Sequence, residues 1–170
     1  MTNYDVDTLL QSMVENIKKN LGADSKQEPL MIGIHTGGVW IAEKLHQMLG
    51  LKSPLGSLNI SFYRDDFTRI GVHPQVKPSN IPESVEDRNI ILVDDVLYTG
   101  RTVRAALNEI FDYGRPKLIC LATLVERDGR ELPIQADIVG AHVELAENEQ
   151  IKLSGPNPLT LSITATGEKA

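Results

Sequence analysis

The sequence predicts one α/β domain, built on a central parallel sheet flanked by helices. Short apolar runs, typical of buried strands, alternate along the chain with segments whose apolar residues recur at helical spacing. Glycine-bearing turns follow two of these strands, and parallel sheets bind ligands at the carboxyl ends of their strands. The length of 170 residues, of which 41% are hydrophobic, suits a single domain over 1–170 with one sizeable core.

The individual elements follow in chain order. Asp5 or Asp7 caps a first helix whose apolar positions run from Val6 to Leu21, and Gly22 ends it. The later predicted elements are a strand in PLMIGIHTGG, a helix at Val39–Leu49 ended by Gly50, strands at Leu58–Tyr63 and Asn89–Val93, a helix at Thr102–Tyr113, strands at Lys117–Val125 and Ala136–Gly140, and a possible edge strand at Leu159–Ala165. Helices between successive strands are what a parallel sheet requires, because its crossovers are long.

Residues 64–83 differ from the rest of the chain. They contain Pro74, Pro78, Pro82 and Gly71, several charges and little apolar periodicity. This composition predicts a long loop, which is either a functional lid or a surface insertion.

The overall composition argues against several classes of protein. The net charge of −6 makes the chain a poor default partner for nucleic acid, whose phosphates need clustered Lys and Arg. The one cysteine, Cys120, lies in the apolar run LICLATLV and is interpreted as a small core residue, with a reactive thiol as the alternative. A single cysteine, an N-terminus without a signal-peptide pattern and the lack of an 18-residue apolar run predict a cytoplasmic protein without a membrane span.

The segment Ile90–Thr102, IILVDDVLYTGRT, contains most of the candidate functional residues. Asp94 and Asp95 follow the apolar strand and are expected to be exposed at its end. Adjacent carboxylates accept hydrogen bonds from vicinal ribose hydroxyls, and they hold Mg²⁺ directly or through water. One aspartate is easily explained as a turn cap, whereas two in succession are less easily explained in that way.

The turn after the acidic pair predicts a cradle for a monophosphate. A helix N-terminus offers unpaired N–H groups, Gly100 allows close backbone approach, and Thr99 and Thr102 add hydroxyl donors. The pattern lacks the GxxxxGK of ATP-type phosphate loops. Strand, acidic pair and turn together predict a site for phosphoribosyl pyrophosphate (PRPP). The residues assigned to its phosphate are Val96, Leu97, Tyr98, Thr99, Gly100, Arg101 and Thr102.

With these residues in place, the sequence resembles the type I phosphoribosyltransferase family. It is most similar to the PyrR group, which combines regulation of pyrimidine operons with uracil phosphoribosyltransferase activity. The matching segments, which cover much of the region from about 32 to 140, are GIHTGGVWIAEKL, YRDD, VDDVLYTGRTVRAAL, YGRP and VERDGRELPIQADIVG. The resemblance implies the type I phosphoribosyltransferase fold, with a flexible lid loop and a small base-binding hood.

The resemblance also implies roles for residues outside Ile90–Thr102. The turn Thr36-Gly37-Gly38 would bind pyrophosphate, although proteins of the group usually carry Arg where this chain has Gly37. Arg64 would belong to the catalytic lid, and Arg127 would contact the base. The implied reaction converts uracil and PRPP to UMP and pyrophosphate, with Mg²⁺ bound to PRPP and a homodimer or homotetramer as the assembly.

Two other functions remain open at this stage. Proteins of the PyrR group bind a pyrimidine leader RNA through a basic surface that usually includes the first helix. Here the only cations of that helix are Lys18 and Lys19, beside Asp5, Asp7 and Glu15, so RNA binding is expected to be weak or lost. The missing Arg at Gly37 also keeps open a non-enzymatic nucleotide sensor. A purine-specific enzyme is disfavoured by the segment around Arg127.

Overall fold

The computed structural model describes residues 4–21, 26–60 and 78–165. The elements are α1 (Val6–Leu21), β1 (Leu30–Ile34), α2 (Gly37–Leu49), β2 (Gly56–Leu58), β3 (Asn89–Leu97), α3 (Arg101–Tyr113), β4 (Leu118–Arg127), β5 (Ile138–Val143), β6 (Glu149–Ser154) and β7 (Thr160–Ala165). Strands β1 to β5 form one parallel sheet in the order β2-β1-β3-β4-β5, and β6 and β7 form a separate antiparallel ribbon. This architecture confirms the predicted α/β class.

The sheet is buried on both faces, as the apolar runs of β1, β3 and β4 predict. On one face, α1 and α2 pack a core that includes Met13 and Leu45 against the sheet. On the other face, α3 contributes Val103 and Ile110 to a second core. Each of these four side chains is at most 1% exposed, so the helices are held to the sheet chiefly by apolar burial.

Strand β3 extends four residues beyond its predicted end. Its pairing with β4 continues to Leu97 opposite Glu126, so Asp94 and Asp95 lie inside the strand. The prediction that both carboxylates would be exposed past the strand end is therefore wrong for Asp94, which is 2% exposed. The apolar run marks where the strand is buried on both faces, whereas backbone pairing continues under polar side chains.

Strand β2 lies earlier than predicted, at Gly56–Leu58, and residues 61–77 lie outside the described residues. The described residues on either side of 61–77 lie side by side. Ser57 and Asn80 exchange two backbone hydrogen bonds of 2.8 Å, and the Asn59 N–H donates to Ser79 Oγ at 2.9 Å. Ser79 Oγ also donates to Glu109 of α3, which ties this stem to the helix.

The segment predicted as an edge strand, Leu159–Ala165, corresponds to β7 but does not join the main sheet. It pairs with β6, a strand that the sequence analysis did not predict, with Leu153 opposite Leu161. Both leucines pack into the core on the α1 and α2 face. The ribbon also docks on α2: a Cβ built on Gly155 would lie 2.9 Å from Trp40 Cε3, so this backbone rests on the indole.

The predicted caps at Asp5 and Gly50 are confirmed, whereas Gly22 lies outside the described residues. Thr8 Oγ1 donates to Asp5 Oδ2 at 2.6 Å, and this hydrogen bond is the main reason that the Asp5 carboxyl has a lowered pKa. Gly50 closes α2 in the left-handed region with φ 65°. None of the helices in the described ranges is both long and apolar enough to cross a membrane.

Cys120 is a core residue of β4, as predicted. It is 5% exposed, and burial raises the pKa of its thiol to about 11, with a smaller contribution from the carboxylate of Asp137. The thiol is therefore protonated and unreactive at neutral pH.

Candidate active site

An open cavity of about 820 Å³ lies at the carboxyl ends of the central strands. Its walls are the first turn of α2, the end of β3, the turn and first residues of α3, the end of β4 and strand β6. Because β1, β3 and β4 are parallel neighbours, their carboxyl ends bring residues distant in sequence to one edge of the sheet.

Both residues of the acidic pair line this cavity. Asp94 Oδ1 accepts the Asp95 N–H at 2.9 Å, and Asp95 Oδ1 accepts the Val96 N–H at 2.9 Å. These local bonds orient both carboxylates. A Cβ built on Gly37 would lie 2.2 Å from Asp95 Oδ2, so the second oxygen of Asp95 lies against the start of α2. Asp95 therefore lies at the start of α2, in the same cavity that the first turn of α3 borders.

The turn before α3 is built as an anion cradle. Gly100 has φ 93°, a left-handed conformation that glycine adopts without the strain of a side chain. Thr99 Oγ1 accepts the Arg101 N–H at 3.2 Å, and Gly100 O begins the helix by accepting from Arg104 at 2.9 Å. The N–H groups of the first turn at Thr102 and Val103 have no intrahelical acceptor, and both residues line the cavity. This end of the cavity suits a phosphate.

The turn before α2 presents the second helix N-terminus. Thr36 and Gly37 line the cavity, and the capping position, Thr36, makes no side-chain hydrogen bond to the helix. Gly38, which the resemblance also assigned to pyrophosphate, packs against β3 and is not among the lining residues of the cavity. A Cβ there would lie 2.6 Å from Val93 O, so this glycine allows α2 to lie close to the strand.

Arg127 and Tyr98 form a stacked pair at the next step along the β3–β4 ladder. Leu97 is opposite Glu126, so Tyr98 and Arg127 follow as neighbours. The Arg127 Cζ lies 3.9 Å from the centre of the Tyr98 ring. Its Nε is buried and has no hydrogen-bond acceptor among the residues that the structure describes. A buried donor without an acceptor is costly, so a ligand atom in the cavity is a natural partner for this guanidinium.

The segment after Arg127 is fastened to the phosphate turn. The N–H groups of Glu131 and Leu132 donate to Thr99 O at 3.1 and 3.2 Å. Arg101 Nε and Glu131 Oε2 form an ion pair of 2.9 Å. Hydrogen bonds and an ion pair therefore connect the segment after Arg127 to the turn before α3.

The structure brings together most of the site residues predicted from the sequence. Asp94, Asp95, Thr36, Gly37, Arg127 and every residue from Val96 to Thr102 line the cavity. Gly38 lies behind it. Arg64, assigned to the lid, is outside the described residues.

Sequence reasoning missed Trp40, Glu131 and the residues of β6 that line the cavity. Trp40 stands in the first turn of α2, and an aromatic residue just after the predicted pyrophosphate turn was an available signal. Gln150 to Leu153 alternate polar and apolar residues, a strand pattern that was present but was not used. Lys152 adds a cation to this wall of the cavity.

The carboxylates of the cavity form an incomplete set of metal ligands. Within 4–21, 26–60 and 78–165, no group of three or more His, Cys, Asp or Glu side chains could hold a metal by itself. The Asp94–Asp95 pair alone suits Mg²⁺, which binds to one or two carboxylates and takes its other ligands from water and substrate phosphates. The residues present therefore fit a magnesium ion that arrives with a phosphorylated substrate.

The fold agrees with the family to which the sequence is similar. A family model described as phosphoribosyl transferase domain matches residues 5–151. The chain belongs to the phosphoribosyltransferase family, and its parallel sheet with flanking helices is the type I fold of that family.

Its relatives place it further, in the PyrR group. The Bifunctional protein PyrR of Nitrosococcus oceani is 63% identical over 163 residues, which cover 95% of this chain and 92% of the relative. The Bifunctional protein PyrR of Pseudomonas paraeruginosa is 51% identical over 153 residues, 90% of each chain.

Solved structures agree on the fold. A hypoxanthine-guanine phosphoribosyltransferase from Bacillus anthracis superimposes with a TM-score of 0.67 at 19% identity, covering 89% of this chain and 86% of that one. A purine phosphoribosyltransferase from Pyrococcus horikoshii gives 0.61 at 23% identity, with 81% and 82% covered. At these identities the likeness concerns the fold and carries nothing about the base.

Proposed function

We propose that this protein transfers the 5-phosphoribosyl group of PRPP to uracil, producing UMP and pyrophosphate. The observation that carries the proposal is one cavity that two helix N-termini border and that Asp94 and Asp95 also line. PRPP carries a phosphate at one end of its ribose and a diphosphate at the other, so it matches two anion sites in a cavity that also contains a carboxylate pair.

The chemistry asks the protein for positioning and charge rather than covalent catalysis. The bond from C1 of the ribose to the pyrophosphate oxygen breaks, the bond from C1 to uracil N1 forms, and the N1 proton passes to water or to the released pyrophosphate. Asp94 and Asp95 would orient the ribose through its hydroxyls while positive charge develops at C1. Thr99 to Thr102 would hold the 5′-phosphate, and the start of α2 would receive the departing pyrophosphate.

Magnesium fits the same arrangement. Asp94 and Asp95 would hold it, directly or through water, and when bound it would neutralise the diphosphate. The side chains that line the cavity include the cations Arg101, Arg127 and Lys152. Gly37 supplies no cation next to the pyrophosphate turn, so the leaving group would depend on backbone N–H groups and the metal there.

Uracil is proposed over a purine because of the relatives rather than the fold. The relatives that are 63% and 51% identical over at least 90% of the chain carry the PyrR name, whereas the purine enzymes share at most 23% of their residues in the superpositions above. Arg127 would contribute by donating to a uracil carbonyl from the end of β4.

The test is steady-state release of pyrophosphate from PRPP and Mg²⁺ with uracil, cytosine, hypoxanthine, guanine or no base. Turnover confined to uracil supports the proposal. Turnover with hypoxanthine or guanine alone would identify a purine enzyme. Absence of turnover with every base would reject an enzyme and favour the non-enzymatic nucleotide sensor. Omission of Mg²⁺ is expected to abolish release, which checks the metal separately.

We propose that binding to pyrimidine leader RNA is weak in this protein. The solvent face of α1 exposes Asp5, Asp7 and Glu15 against Lys18 and Lys19, so it repels rather than attracts a phosphate backbone. Filter binding of a pyrimidine leader RNA at physiological salt checks this, with an unrelated RNA as the control. Tight, leader-specific binding would reject it.

A homodimer or homotetramer remains the expected assembly. Light scattering of the purified protein over a range of concentrations measures it directly. A mass of about 19 kDa at every concentration would reject the expectation.

A further inference from the structure

We infer that Tyr98, although it belongs to the phosphate-turn segment, serves the base end of the site by holding the Arg127 guanidinium in position. The inference rests on the proposed function, in which Arg127 contacts the base. It replaces the phosphate role that the sequence suggested for Tyr98.

The first support is the stacking geometry. The Arg127 Cζ lies 3.9 Å from the ring centre of Tyr98, within the range in which a guanidinium is attracted to an aromatic face. A stacked guanidinium keeps its N–H groups directed outward from its edge, where they remain available to an acceptor. Arg127 Nε has no acceptor among the described residues, and both residues line the cavity.

The second support is how the ring itself is held. Gly129 has φ 116°, and a Cβ built there would lie 2.3 Å from Tyr98 Cε2. The backbone just beyond Arg127 therefore closes on the edge of the same ring that the guanidinium covers. Glu131 and Leu132 donate to Thr99 O. The segment 127–132 therefore contacts the Tyr98 ring through Arg127 and Gly129 and is hydrogen-bonded to the residue that follows Tyr98.

The third support is the exposure of the two side chains. Tyr98 is 45% exposed, so its ring is not a core residue that the fold needs for burial. Arg127 is half-buried at the end of β4, with its Nε fully covered. Without the ring, the long Arg127 side chain would sample several rotamers, and its contact with the base would weaken.

The decisive measurement compares two ligands that differ only in the base end. Trp40 is the sole tryptophan of the chain and lines the cavity, so its fluorescence reports binding of UMP and of ribose 5-phosphate. Tyr98→Leu is expected to weaken UMP binding roughly fivefold to tenfold and to leave ribose 5-phosphate binding within twofold. Tyr98→Phe keeps the ring and is expected to restore the preference for UMP. If Tyr98→Leu weakened the binding of UMP and of ribose 5-phosphate equally, Tyr98 would serve the phosphate site and the inference would be wrong.

Two further variants separate positioning from direct contact. Arg127→Gln is expected to remove the same preference for UMP, and Tyr98→Leu added to Arg127→Gln should cause no further loss. If Arg127→Gln kept the preference while Tyr98→Leu lost it, the ring itself would contact the base and the positioning role would be wrong. Tyr113→Leu is the matched control, because Tyr113 is 49% exposed on α3 and does not line the cavity.

Failure of the proposed function looks different from failure of this inference. A wild-type protein that binds neither ligand, or binds UMP no more tightly than ribose 5-phosphate, contradicts the proposed function. A wild-type protein that prefers UMP, and still prefers it after Tyr98→Leu, contradicts only the inference. Circular dichroism of each variant excludes unfolding as the cause of a loss.

Discussion

The two helix N-termini that border the cavity are built differently. The turn before α3 has a glycine at φ 93°, two threonine hydroxyls and the 127–132 segment fastened over it. The start of α2 consists of the capping residue Thr36 and two glycines whose missing side chains make room for Asp95 and for β3. In the proposed reaction the first turn holds a phosphate that stays on the sugar, and the second receives a group that must leave. A rigid, multiply bonded cradle suits the first task, whereas a site of backbone dipoles suits the second.

The largest effect is expected at Asp95, which lines the same cavity as both turns. Asp95→Asn keeps the shape of the side chain and removes the charge that would orient the ribose as C1 becomes positive. We expect kcat/KM for pyrophosphate release to fall about 100-fold, with little change in the free energy of unfolding. Steady-state kinetics and urea unfolding measure the two quantities. A variant with wild-type kinetics would remove Asp95 from the reaction.

The next effect tests the phosphate turn. Gly100→Ala places a side chain at φ 93° and brings its Cβ to 3.4 Å from Leu132 Cβ and from Ile134 Cβ. We expect a loss of about 1–2 kcal/mol in the free energy of unfolding and roughly tenfold weaker binding of ribose 5-phosphate. Gly50→Ala at φ 65° is the control, because its Cβ would meet nothing within 4 Å and it lies far from the cavity. Equal ribose 5-phosphate binding in both variants would contradict the cradle.

A smaller effect is expected at the α2 turn. Gly37→Ala has no left-handed conformation to strain, but its Cβ would meet Asp95 Oδ2 at 2.2 Å. The carboxylate must move, so kcat is expected to fall about fivefold while binding of ribose 5-phosphate remains the same. In an Asp95→Gly background the collision is absent, and Gly37→Ala should then have no effect of its own. If Gly37→Ala also weakened the binding of ribose 5-phosphate, the two turns would not have the separate functions proposed for them.

The smallest effect is expected from the ion pair that fastens the segment over the cradle. The side chains of Arg101 and Glu131 are 48% and 51% exposed, so their attraction is screened by solvent. Glu131→Gln should change binding of ribose 5-phosphate by less than about twofold, and less again at high salt. The two backbone bonds to Thr99 O remain in this variant. A tenfold loss would show that the ion pair, rather than the backbone, holds the segment.

The cradle could be predicted because its parts are contiguous in the chain. Asp94, Asp95, Thr99, Gly100 and Thr102 lie within nine residues, and an apolar strand before them predicts where they stand. The extent of β3 could not be predicted in the same way. Hydrogen bonding to β4 continues beneath Asp94 to Leu97, and periodicity reports burial rather than backbone pairing.

The ribbon of β6 and β7 is a part of the fold whose position the sequence does not predict. β6 and β7 carry only moderate apolar patterns, and their pairing depends on leucines that pack into a core made by α1 and α2. Nothing near Gln150 or Lys152 in sequence indicates that their strand borders a cavity built around Asp94. The ribbon is held beside the cavity where Gly155 packs on Trp40, a contact between residues more than a hundred positions apart.

The sequence by itself determined the α/β class, the core position of the single thiol, and the grouping of the acidic pair with the Thr99–Thr102 turn, because apolar runs and neighbouring polar residues are visible directly in the chain. Only the tertiary structure decided that Asp94 is buried, that Gly37 lies against Asp95, and that Tyr98 carries Arg127 on its ring. These last relations arise where parallel strands end side by side. Their register brings together residues whose separation in sequence gives no indication that they touch.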